Sequence, residues 1–358
     1  MFIGNAIAGE AELRPSAIKG ALRFWWRAMQ AGSSIKKIHE DEAKIFGSAD
    51  DKLGSRSKLV VNIEKITSFN PVNPEFTEKE RVQGETNHTN LLGTSKLVSD
   101  FYPNSVRNYH SNILEYLSYG LHDYVTGDVV FNRYCIKPGE KFTVTLYTSD
   151  NELREKIGNV FQVFAWFGGL GAKSRNGFGQ ICILNDNGEP RYSEQPTLNY
   201  SEIELSSFSS FNKYLKIFQK KSQSHNRWDL ALSETGWAYR MSRLKLDTDD
   251  TNGLKAKGKH HYENRLYIAQ PIEVKNPPFP ISNFLERHSK TYFLFVNKIS
   301  KDNFSSGILH LPSNYSVENC EKYDIKKWGS TSNGKNNPSE RYDEVHGKMN
   351  SNLNSELK

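Results

Sequence analysis

The stretch GGLGAKSRNGFG, Gly168 to Gly179, holds five glycines, one lysine and one arginine in twelve positions, with no acidic residue. Its flanks restrict what it can be. Upstream, Leu153, Ile157, Val160, Phe161, Phe164 and Phe167 recur at the spacing of an amphipathic helix, and downstream Gln180 to Leu184 reads as a strand. The order is helix, glycine-rich loop, strand. Phosphate-binding P-loops and dinucleotide fingerprints run from strand to helix, so that a helix N-terminus faces the phosphate. Ala172 also stands where GxxxxGK[ST] requires its second glycine. The topology therefore argues against a nucleotide site, and no cofactor is expected. Two readings stay open. Either the loop's amides grip a phosphate backbone with charge from Lys173 and Arg175, or the glycines pack a turn closely against a neighbouring helix and both cations are solvated.

A second cationic feature lies in LRPSAIKGALRFWWRAMQ. Ile18, Leu22, Trp25, Trp26 and Met29 make an apolar helical stripe, with a start at Pro15 and Ser16 and an end at Gly32. Lys19, Arg23 and Arg27 form an i, i+4, i+8 row beside it. Between Arg14 and Lys37 there are six basic residues and no acidic one, in a chain of formal net charge +6, a local excess that favours a polyanionic partner. Trp25 lies on the stripe and is expected in the core.

With 358 residues, 37% of them hydrophobic, two domains are expected. Strands are expected at Lys58 to Ile66, Phe142 to Tyr147, Leu266 to Val274, Thr291 to Ile299 and Ser306 to Leu311, and a helical region at about Ser206 to Leu246. Ser68 to Gly93 reads as a long loop, and Asn185 to Ser201 as the linker. The expected domains are 1–190 and 200–328, followed by a polar tail, 329–358, expected to be disordered. Lys255, Lys257, Lys259, His260 and His261 form a further basic loop. No apolar run is long enough to span a membrane and no signal peptide is evident, so a cytosolic protein without a membrane partner is expected. Cys135, Cys182 and Cys320 are scattered, which suggests neither a disulfide framework nor a zinc site.

LRPSAIKGALRFWWRA (Leu13 to Ala28), IFGS (Ile45 to Ser48) and GGLGAKSRNGFG together resemble the RAMP superfamily of CRISPR proteins, from Met1 to about Leu184. Beyond that only ENRLYIAQPIEV (Glu263 to Val274) is suggestive. Within the superfamily, the first of these stretches is similar to that of the first subunit of the Cmr module, a type III-B effector. The resemblance implies an α+β fold of two tandem ferredoxin-like, RRM-related βαββαβ domains with a glycine-rich loop, and neither a metal nor a nuclease centre. It also implies an RNA-binding subunit of an antiviral ribonucleoprotein, with CRISPR guide RNA (near its 3′ end) or target RNA and other Cmr-type RAMP subunits as partners. The positions it carries over as RNA-binding are Arg14, Lys19, Arg23, Arg27, Gly168, Gly169, Gly171, Lys173, Ser174, Arg175, Gly177 and Gly179. Only MFIGNA precedes the turn before Arg14, so the first strand of the unit is expected to be truncated or to begin upstream.

Some members of the superfamily cleave RNA. Here neither His110 nor His122 pairs recognisably with a nucleophile or carboxylate, and nothing singles out one of Glu75, Glu78, Glu80 and Glu85. A non-catalytic subunit is the expectation. The alternatives are a metal-independent endoribonuclease that processes CRISPR transcripts, and an adaptor whose basic row pairs with an acidic protein. Processing nucleases of the superfamily carry the glycine-rich loop near the C-terminus, whereas here it closes the first half.

Overall fold

The structure, a computed structural model, describes residues 1–3, 11–49, 54–65, 95–97, 110–125, 128–220, 225–247, 263–269, 290–314 and 338–358. They form a mixed α/β architecture of small antiparallel sheets with helices packed on them. In the first half these are α1 (Pro15–Ala28), α2 (Ile35–Phe46), β1 (Val60–Lys65), β2 (Ser95–Leu97), β3 (His110–Asn112), α3 (Ile113–Ser118), β4 (His122–Val125), β5 (Asp128–Phe131), β6 (Phe142–Tyr147) and α4 (Asn151–Phe167). The second half adds β7 (Lys216–Phe218), α5 (Trp228–Leu244), α6 (Glu263–Leu266), β8 (Tyr292–Ser300), β9 (Asn303–His310) and α7 (Pro338–Glu356). β1 pairs with β6, β2 with β3 and β4 with β5, while β7, β9 and β8 form a three-stranded sheet in that order.

Local sequence explains the long helices. Pro15 takes the first turn of α1, where its missing N–H costs nothing, and the helix ends at a Met29 cap, before Gly32. Asp150 caps α4 by accepting the Leu153 N–H at 3.0 Å. Trp25 and Trp26 are buried, as the apolar stripe required.

The three-stranded sheet divides two cores. Along β8, Phe293 and Phe295 face the core built on α1, α2 and α4. Tyr292, Leu294 and Val296 face the core built on α3, α5 and α7. This is the side-to-side alternation of a strand buried on both faces. Each core thus draws on residues from both sides of Asn185 to Ser201, so the expected linker does not separate them.

Four expectations are corrected. Gln180 to Leu184 runs as coil, with an isolated bridge at Leu184 and Pro190. The Gln180 side chain replaces the ladder: its amide donates to the Asn297 Oδ1 at 2.7 Å and its Oε1 accepts the Val296 N–H at 2.5 Å. The region from Ser206 to Leu246 contains β7 before α5 instead of one helical run. The strand expected from Leu266 begins as the end of α6, and its part from residue 270 lies outside the described residues. Finally, the tail expected to be disordered contains α7. Tyr342, Val345, Met349, Leu353 and Leu357 are buried at three- and four-residue intervals, one apolar row in an otherwise polar segment. The sheet supplies the rest of the apolar surface, and the Tyr292 hydroxyl fixes the contact by donating to the Asn350 Oδ1 at 3.0 Å.

Candidate nucleic-acid interface

The cationic row of α1 meets an internal carboxylate. Arg23 Nε lies 2.8 Å from Glu42 Oε1, and one Arg27 nitrogen lies 2.8 and 3.0 Å from the two Glu42 oxygens. The Glu42 side chain, on α2, is 10% exposed, against 38% and 43% for Arg23 and Arg27. Arg23 also donates to the Gly47 carbonyl at 3.2 Å. Lys19 donates to Ser57 Oγ at 2.6 Å, and burial, followed by the nearby Arg23 charge, lowers its pKa. Charge-assisted bonds of this kind are the stronger ones, and here they tie α1 to α2. Arg14, at the N-cap of α1, lies 4.0 Å from Glu12. The acid-free span runs on to His39, and Glu42 follows three residues later on the same helix; that carboxylate is what inspection of the basic span alone misses.

For the glycines, the structure decides in favour of close packing. A Cβ on Gly168 would lie 2.5 Å from Trp25 Nε1, on Gly169 2.4 Å from the Phe178 oxygen, and on Gly177 2.4 Å from Leu232 Cδ1. At Gly171 and Gly179 the backbone is left-handed (φ +85 and +75), and a Cβ would lie 2.2 Å from the Phe2 oxygen and 2.0 Å from the Leu170 oxygen. Loop amides bond internally: Leu170 donates to Gly179 at 2.8 Å, Ala172 to Phe2 at 2.8 Å, and Gly177 to the carbonyl of Ser174 at 3.2 Å. The N-terminal residues Met1 to Ile3 are held between this loop and Ile136, which accepts the Met1 ammonium at 2.8 Å.

The loop's cations are arranged differently from those of α1. Arg175 donates to the Lys290 carbonyl at 2.6 Å, and its guanidinium lies 4.8 Å over Phe293 and 5.3 Å over Phe24. Returning the contact, the Lys290 ammonium donates to the Arg175 carbonyl at 3.0 Å and to Asn176 Oδ1 at 2.7 Å, and lies 4.0 Å over Tyr239. Asn176 donates to the Leu117 carbonyl at 2.6 Å, docking the loop on α3, where Arg243 donates to the Tyr116 hydroxyl at 2.8 Å. Enclosure of its ammonium holds the Lys290 pKa well below the ordinary lysine value, and the charges of Arg243, Arg175 and Lys173 depress it further. Lys173, Arg175 and Arg243 therefore all act on the enclosed Lys290 beside the loop.

Lys173 is the only non-glycine with positive φ among the described residues, at 60°. That conformation costs on the order of 1 kcal/mol in a residue with a Cβ. Its ammonium lies 3.6 Å from the position a Cβ on Gly120 would take, in the turn after α3. Among the residues now gathered at the loop, Lys290 and Arg243 escaped the sequence analysis, because contacts between segments so far apart in sequence leave no local pattern.

His122 is buried, with Nδ1 3.4 Å from Ser118 Oγ, and burial lowers its pKa, with Lys173 adding to the effect and Asp123 opposing it. His110 lies in β3, with its side chain outside the described residues; so are Glu75, Glu78, Glu80, Glu85, and the basic loop from Lys255 to His261. Among the described residues no three His, Cys, Asp or Glu side chains cluster as metal ligands, and no helix is long and apolar enough to cross a membrane.

A family model described as the RAMP superfamily matches residues 1–182, and the chain belongs to that superfamily. Over 181 residues the chain is 23% identical to the CRISPR system Cmr subunit Cmr1-1 of Pyrococcus furiosus, covering 50% of this chain and 42% of that one. Over 73 residues it is 33% identical to the Cmr subunit Cmr1-2 of the same organism, covering 20% and 38%. The matched part thus spans about two fifths of the length of these relatives. Among solved structures, the apo crystal structure of Cmr1 from Pyrococcus furiosus is similar with a TM-score of 0.46 and 14% identity, over 95% of this chain and 89% of that one. A chain of the type III-B Cmr-beta complex, solved by cryo-EM with cognate target RNA and AMPPnP, gives a TM-score of 0.41 at 15% identity, over 97% and 94%.

Proposed function

We propose that this chain is a non-catalytic RNA-binding subunit of a type III-B CRISPR effector, contacting the 3′ region of the guide RNA or the target RNA alongside other Cmr-type RAMP subunits in the cytoplasm. In this reading the small sheets belong to two tandem ferredoxin-like units, the second built on β7, β9 and β8. The observation that carries the proposal is the gathering of basic side chains at the glycine-rich loop, where Arg175 and Lys290 exchange main-chain bonds and the Lys173 ammonium lies beside the turn at Gly120. Membership of the RAMP superfamily and the similarity to Cmr subunits support it. The burial of His122 supports the non-catalytic reading over the endoribonuclease one, since a general acid or base must reach substrate.

The test is a titration of the full chain against single-stranded RNA and a guide–target duplex at two salt concentrations, with the same RNAs followed on a gel. Salt-sensitive binding without cleavage is expected. Lys173→Gln should weaken binding equally for unrelated sequences and lower the slope of log affinity against log salt by roughly one. Cleavage at a fixed site would favour the nuclease, and an unchanged slope would remove Lys173 from the RNA contact. Arg175 is a poor first target, because its guanidinium packs over Phe24 and Phe293.

A further inference from the structure

In the turn after α3 an exposed aromatic ring precedes Gly120, the residue beside which the loop's lysine ends. Tyr119 is 61% exposed, although its neighbours Ser118, Leu121 and His122 are all buried. Its ring is braced from below: His122 stands edge-on to it at 6.3 Å, and His122 in turn meets Phe131 at 5.2 Å. Phe131 stacks on Phe2, which meets Phe178 of the glycine-rich loop at 5.5 Å. The ring therefore stands on a packed aromatic column that ends in the loop itself. Gly120, the next residue, leaves room in which the Lys173 ammonium sits, 3.6 Å from where a side chain would begin. A loop with five glycines in twelve positions nevertheless keeps a lysine where the backbone favours glycine.

We propose that Tyr119 and Lys173 form a subsite for one unpaired ribonucleotide, its base stacking on the Tyr119 ring and its phosphate meeting the Lys173 ammonium. The chemistry is that of single-strand recognition, in which a braced ring takes any base by its π-face while a cation holds the backbone. This inference rests on the RNA-binding reading and adds to it a base contact, which a loop gripping only backbone would lack. Bases inside a duplex already stack on their neighbours, so the subsite favours unpaired RNA over duplex.

The experiment measures binding of the full chain, wild type and Tyr119→Leu and Tyr119→Phe variants, to a short oligouridine and to an abasic oligomer with the same ribose-phosphate backbone. Tyr119→Leu is expected to lose about tenfold in affinity for oligouridine, with Tyr119→Phe near wild type and the abasic oligomer unaffected by either change. Because the ring is exposed, thermal unfolding should be the same for all three proteins. Wild-type protein that binds neither oligomer would overturn the RNA-binding reading and this subsite with it. Lys173-dependent binding to oligouridine with Tyr119→Leu unchanged would overturn the subsite alone. So would an equal loss on the abasic oligomer, or a loss confined to association with a neighbouring protein subunit.

Discussion

The two basic motifs of this chain meet at α1 and bind their cations to different partners. On one side of α1, Arg23 and Arg27 share the buried carboxylate of Glu42. On another, Phe24 and Trp25 meet the glycine-rich loop, where Arg175 lies over Phe24 and the Lys290 ammonium is pressed by Arg243, Arg175 and Lys173. The first arrangement is closed, a cation pair and its counter-ion holding two helices together. In the second, like charges are held together by packing and main-chain bonds. A count of basic residues ranks these motifs alike, but the groups the cations meet differ: a buried carboxylate on α2 in the first, main-chain carbonyls and aromatic rings in the second.

The sharpest way to break the comparison is to disturb the packing that holds the loop's cations. Gly179→Ala places a methyl group 2.0 Å from the Leu170 oxygen on a backbone at φ +75. The obstacle is main chain, so relief requires the loop to move, and a loss of about 3 kcal/mol or more is expected in denaturant unfolding. Gly20→Ala is the control, since its Cβ would meet nothing within 4 Å and it lies in α1. It should be neutral or stabilise by up to about 1 kcal/mol. Equal effects at the two positions would mean that the loop's glycines are not packed as described.

The next effect in size belongs to the strut. Glu42→Gln keeps the shape and removes the counter-charge, leaving Arg23 and Arg27 to repel each other. Removing one partner of a fully buried pair costs several kcal/mol, but both arginines are more than a third exposed, so about 1–2 kcal/mol is expected. RNA affinity mediated by Lys173 should not fall. If Glu42→Gln instead left stability untouched and raised RNA affinity severalfold, the row would be a nucleic-acid surface restrained by Glu42, and the contrast between the motifs would fail.

Local pattern made part of this legible. The stripe of α1, the apolar run of α4 and the alternation in β6 are periodic, β8 is a continuous apolar run, and each forms the element expected of it. Motif resemblance found the family from three short stretches. What escaped depends on neighbours distant in sequence. The row of α1 looks free until Glu42 folds against it, and α7 looks disordered until the sheet covers its single apolar row. Gln180 reads as the start of a strand, yet it meets β8 through its side chain. The loop's charge was legible from Lys173 and Arg175, whereas Lys290 and Arg243 join it only through tertiary packing.

The smallest effect tests the crowding itself. Lys290 has a pKa held below the ordinary lysine value of 10.5 by enclosure and by three neighbouring cations, so the unfolded chain binds its proton more tightly than the folded one. Between the lowered folded value and 10.5 the unfolded state therefore carries the extra proton, and stability from this group rises with pH. In the Lys290→Met variant that contribution is absent. The difference in Tm between wild type and variant should shift in favour of wild type as pH is raised from neutral towards 10.5, by a few degrees at most. The variant also loses the bonds to Arg175 and Asn176, but this loss offsets the two curves without changing their relative slope. Bound RNA should flatten the wild-type curve, because phosphate near the cations restores the lysine's affinity for its proton. Parallel curves for wild type and variant would mean that the ammonium is solvated, and the loop would then be no more electropositive than the strut across the helix.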